Sequence, residues 1–129
     1  MMQAESICRA AIEALEDIKA EDIVVMDVRS MSSLFDYVIV ASAESTRQTR
    51  ALSNNMQDKL RSIGTRVLGV EGGGSGEWVL VDLGEVIVHV MQPTIRTYYN
   101  LEQLWGGDMS TPRAADGLPV DGESRTAQF

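Results

Sequence analysis

Hydrophobic positions along this chain recur with two different periods, and the switches between them mark out its elements. From Ser6 to Lys19, residues Ile7, Ala11, Leu15 and Ile18 keep helical spacing, with Glu13, Glu16 and Asp17 on the opposite side. IVVMDV (23–28) and DYVIVASA (36–43) are β-rich runs joined by the polar connection RSMSSLF. A second helix is predicted from Ser45 to Ser62: Ser45 and Gln48 have capping-box spacing, and Leu52, Met56, Leu60 and Ile63 give it a buried stripe. Gly64 stands where a left-handed C-cap favours glycine. TRVLGVEG (65–72) is the next strand-like run, followed by the glycine-rich GGGSG.

The stretch from Glu77 to Trp105 carries the most information. WVLVD (78–82) and EVIVHVM (85–91) flank Leu83-Gly84, which predicts a hairpin with those two residues as its turn. Asp82 would then face Glu85, Val81 would face Val86, and Trp78 would face His89. Side chains alternate across a strand, so Val79, Val81, Val86, Val88 and Val90 form a uniform core face. Trp78, Leu80, Asp82, Glu85, Ile87, His89 and Met91 form the other face, a mixture that suits docking better than a core. A turn at Pro93 and a helix from Thr97 to Trp105 follow, with Tyr98, Leu101 and Trp105 inward and Glu102 and Gln103 outward. The order α-β-β-α-β-β-β-α is that of an α/β or α+β domain, a mixed sheet of about five strands flanked by helices.

Composition sets bounds on this picture. At 129 residues, with 44% hydrophobic and 23% charged, the chain suits one soluble globular domain. The composition changes after Gly106: residues 1–106 read as the domain, and 107–129, holding two of the three prolines and scattered apolar positions, as a flexible tail. The net charge of −8 argues against broad phosphate binding and suits a basic partner or plain solubility. No apolar run is long enough to span a membrane, and the first residues lack signal-peptide character. Cys8 stands alone, so no intrachain disulfide forms and a reducing cytoplasm is the expected compartment.

Catalytic motifs are weak. His89 is the one histidine; it has no paired metal ligands, and the predicted register sets it about 13 Å from Asp82. GGGSG lacks the spacing of a dinucleotide or P-loop motif and precedes a strand, so it reads as a flexible connection. Paired carboxylates for two-metal chemistry occur only as Asp121-Gly122-Glu123, within the tail. Arg47 and Arg50 could hold an anion or an acidic patch, or simply face solvent. Arg96 and Tyr99 are residue types favoured at interface hot spots.

DYVIVASAESTRQ (36–48), EGGGSGEWVLVDLGEVIVHVM (71–91) and RTYYNLEQLW (96–105) together closely resemble the ribosomal silencing factor family, also called Iojap-related. The resemblance runs from Ile7 to Trp105. It implies a cytoplasmic, non-enzymatic factor without cofactors, whose fold looks like a nucleotidyltransferase core lacking the catalytic acids. It also implies binding to the large ribosomal subunit through ribosomal protein L-fourteen, blocking the small subunit and repressing translation when nutrients are scarce. Little direct nucleic-acid contact and no membrane contact are expected. The expected partner surface comprises Trp78, Leu80, Asp82, Glu85, Ile87, His89 and Met91, extended by Arg96, Tyr99 and Glu102. Self-association of the free protein is compatible with the sequence. A large-subunit assembly factor and a nucleotide-binding enzyme are the alternative readings.

Overall fold

The computed structural model describes residues 3–72 and 75–100. Its elements are α1 (Ala4–Asp17), β1 (Glu21–Asp27), β2 (Tyr37–Ser42), α2 (Thr46–Ser62), β3 (Gly69–Glu71), β4 (Trp78–Asp82), β5 (Val86–Met91) and α3 (Pro93–Tyr99). The five strands form one mixed sheet in the order β1-β2-β5-β4-β3. β2 and β5 run parallel at its centre, and the other neighbours are antiparallel. The expected α+β architecture is therefore the one observed. The expected tail, 107–129, and the expected helical residues 101–105 lie outside the described residues.

The main core lies between the sheet and helices α1 and α2. Ile7, Ala11 and Leu15 of α1 and Leu52, Met56 and Leu60 of α2 meet Val25, Ile39, Val79, Val81, Val88 and Val90 of the sheet. The two helices are tied together by polar contacts. Gln48 Nε2 donates to the Ile18 carbonyl (3.2 Å), Asn55 Nδ2 donates to the Ala14 carbonyl (2.9 Å), and Lys59 lies 3.5 Å from Glu13 and 3.6 Å from Asp17. Ser45 Oγ accepts from Gln48 N–H (3.1 Å) and starts α2 as expected. The Gln48 side chain, by contrast, does not return to Ser45; its Oε1 accepts from Glu44 N–H (3.4 Å) while its amide clamps α1.

Both helices end in the same device. Gly64 N–H donates to Arg61 O and Thr65 N–H to Leu60 O, the paired bonds of a Schellman cap with Gly64 at φ +88°. In α1, Lys19 N–H donates to Glu16 O and Ala20 N–H to Leu15 O, with Lys19 itself held at φ +61°.

Five expectations need correction. The hairpin turn is Gly84-Glu85, not Leu83-Gly84: Leu83 N–H donates to Val86 O, and Asp82 pairs with Ile87. Gly84, at φ +95°, supplies the positive φ that a turn of the II′ kind requires at its first central position. The register thus moves by two residues, an even number, so each side chain keeps the face expected for it. The last described helix begins at Pro93, four residues earlier than expected, because a proline at N1 needs no N–H donor there. Tyr98, expected in the core, is 78% exposed, and Ile63 lies beyond the buried stripe of α2. β3 is shorter than the run 65–72, because Thr65 is still engaged in the α2 cap.

Candidate functional site

The sheet's second face is built differently from the first. Val24, Met26, Val38, Val40 and Met91 form a separate apolar cluster, against which Met31, Phe35, Trp78 and Ile95 pack. Ser32 Oγ fixes the connection carrying Met31 and Phe35, accepting from Leu34 N–H (3.0 Å) and Phe35 N–H (3.2 Å). The β1–β2 turn is pinned by Asp27, which receives both Arg29 Nε and Nη2. Partial burial would raise the Asp27 pKa, but the Arg29 hydrogen bonds and charge outweigh it and hold the carboxyl below its usual value.

Toward the β4 side this face opens. Trp78, Leu80 and Asp82 are half-buried, and Glu85 at the hairpin turn is exposed. Ile87, His89 and Met91 share the face but lie on β5, a central strand, and are buried. The surface presented by the free protein is thus narrower than strand alternation alone suggests. Arg96 is turned inward, donating from Nη1 to the buried Ser42 Oγ (2.7 Å), so it serves packing between α3 and β2. The Tyr99 side chain and Glu102 lie outside the described residues.

Trp78 is the best-held residue of the open region. Its indole Nε1–H donates to His89 Nδ1 at 2.9 Å, with ring centroids 5.8 Å apart and planes inclined at 48°. The pair is diagonal across the hairpin, since Trp78 pairs with Met91 and Leu80 with His89. Burial pushes the His89 pKa down to about 3, so the ring is neutral at physiological pH and Nδ1 keeps its lone pair. The shifted register brings Asp82 nearer to His89 than expected. His89 Nδ1 nevertheless receives Trp78, while Asp82 Oδ1 accepts from Gly84 N–H (2.9 Å) and stabilises the turn. The histidine is arranged for packing and hydrogen bonding, not for proton transfer to Asp82.

Sequence reasoning missed the constraints on the loop that leads into Trp78. Gly72 and Gly76 adopt φ +84° and +77°, and Gly76 N–H donates to Gly72 O (3.1 Å). A Cβ on Gly72 would fall on the Trp78 carbonyl oxygen, and one on Gly76 would meet Thr46 Cβ at 2.7 Å. Buried Thr49 Oγ1 lies 2.5 Å from Gly76 O, pinning the loop to α2. The ends of the glycine-rich segment are therefore fixed, where a flexible connection was expected. Neither glycine advertises this, because a glycine run looks the same in a loose linker as in a tight turn.

Among the described residues, no three His, Cys, Asp or Glu side chains gather as a metal site. Cys8 is buried, and desolvation pushes its thiol up to about 12, which suits a packing role. No described helix is long and apolar enough to cross a membrane.

With this geometry, the family model described as ribosomal silencing factor during starvation matches residues 1–128. The chain belongs to the ribosomal silencing factor family. The ribosomal silencing factor of Chromobacterium violaceum is 53% identical over 106 residues, spanning 82% of this chain and 87% of that protein. That of Bacillus subtilis is 40% identical over 105 residues, spanning 81% and 89%. A crystal structure of a Chromobacterium violaceum protein superposes with a TM-score of 0.82 at 50% identity, covering 88% of this chain and 94% of that one. A mouse protein named for mitochondrial assembly of the ribosomal large subunit is 31% identical, spanning 85% of this chain and 51% of its own length.

Proposed function

We propose that this ribosomal silencing factor docks on ribosomal protein L-fourteen of the large subunit through the open β4 side of the second sheet face. Bound there, it occupies space the small subunit needs and represses translation under nutrient limitation, without catalysis. The observation that carries the reading is the half-buried indole of Trp78, braced by His89 and followed on the same face by Leu80, with Asp82 and Glu85 farther along the hairpin at its turn end. An aromatic and aliphatic centre with an acidic rim suits a cationic ribosomal protein. Buried Ile87, His89 and Met91 form the layer beneath this contact. Tyr99 and Glu102 would extend it, and Arg96 would hold α3 in place. In the free protein the same face can pair two copies. We place the protein in the cytoplasm, with the ribosome as its site of action.

The name of the mouse relative favours a second reading, association with large subunits during their assembly. The same surface serves both. Pelleting purified protein with isolated large or small subunits tests the shared step: the protein should pellet with the large subunit alone. Glu85→Lys reverses an exposed rim charge and should lower that affinity; unchanged pelleting would remove the acidic rim from the proposal.

A further inference from the structure

We infer that His89 is a positioning residue: it holds the Trp78 indole in the orientation in which the partner meets it, and does not itself touch the partner. This rests on the docking surface proposed above. The Trp78 backbone is already fixed by pairing with Met91, by the close approach of Gly72, and by the bond from Gln92 N–H to Glu77 O (3.0 Å). The side chain packs against the second-face cluster but stays half-exposed, and its two torsions set where the indole N–H points. His89 fixes that direction. It is wholly buried on the neighbouring strand, with Nδ1 aimed at the indole N–H at 2.9 Å. Neutral at physiological pH, it remains an acceptor throughout that range. An anchor immobilised before binding loses less freedom on docking than a mobile one.

The test reads the free and bound protein separately. In the free protein, the Trp78 indole N–H is assigned by comparing NMR spectra of wild type and Trp78→Phe, and its hydrogen exchange is measured. In the bound state, the dissociation constant for isolated large subunits is measured by sedimentation. His89→Leu keeps the bulk and removes the acceptor; His89→Gln offers an amide oxygen in its place. Expected for His89→Leu is at least tenfold faster indole exchange and about three- to tenfold weaker subunit binding, both partly restored in His89→Gln. Wild-type affinity in a folded His89→Leu with a released indole would overturn the inference. If His89→Leu does not fold, wild-type exchange decides: protection of the indole N–H supports the lock, and exchange as fast as in free tryptophan overturns it. A protected indole in a protein that binds no large subunits would instead refute the docking reading and leave the lock in place.

Discussion

Replacing Gly72 by alanine should destabilise the protein well beyond the same change at Gly64, although both glycines hold a positive φ. At Gly64 an added Cβ meets nothing within 4 Å. Only the left-handed backbone is penalised, by about 1–2 kcal/mol, less several tenths regained from a stiffer unfolded chain. At Gly72 the same penalty applies, and the methyl also falls on the Trp78 carbonyl oxygen. That oxygen belongs to a strand residue paired with Met91, so it cannot retreat without displacing the hairpin. Overpacking of this kind adds about 1–3 kcal/mol, giving a total of ~3 kcal/mol. Urea unfolding of wild type, Gly64→Ala and Gly72→Ala, with m compared across the three, measures both losses. Gly72→Ala should also weaken large-subunit binding, because the shift moves Trp78, while Gly64→Ala should not. Equal losses of stability would refute the steric argument and mean that the glycine loop yields freely.

Lys19, held at φ +61° in the α1 cap, should be improved by glycine: Lys19→Gly is expected to stabilise by about 1 kcal/mol, raising Tm by several degrees, and no gain would mean that the cap is unstrained. For His89 the folded pKa, about 3, lies below the unfolded value of about 6.5, so its stabilising contribution is complete above 6.5 and shrinks as pH falls toward 3. Between pH 7.5 and 5 the loss should be about 2 kcal/mol by urea unfolding, and His89→Gln should flatten that segment of the profile. Met91→Glu looks like an interface test from the sequence, yet Met91 is wholly buried; it should lower Tm sharply, by more than ~3 kcal/mol equivalent, and a folded variant of wild-type Tm would contradict the burial.

The legible parts of this fold were those with a local physical signature. Val79, Val81, Val88 and Val90 share a core face because strand alternation survives an even register error, so a misplaced turn left the faces correct. The Ser45 and Gly64 caps were readable from their own residue types. What failed depended on distant partners. His89 and Met91 are on the predicted face, but which neighbours cover β5 is a tertiary fact, invisible to periodicity. Arg96 looks like a hot-spot arginine until Ser42, 54 residues away, is brought beside it. Gly72 and Gly76 read as a linker because their constraints come from Trp78 and Thr46. Lys19 broke the preference for glycine at a left-handed cap, so no residue type marked the end of α1.

Subunit joining is the step on which the proposed steric mechanism acts. Purified large and small subunits, mixed with and without the protein and separated on a sucrose gradient, measure it directly. The protein should migrate with the large subunit and the joined-ribosome peak should fall, while Trp78→Ala at the same concentration restores the peak. An undiminished joined peak with the protein bound to large subunits would contradict the steric block, and protein remaining at the top of the gradient would contradict docking itself.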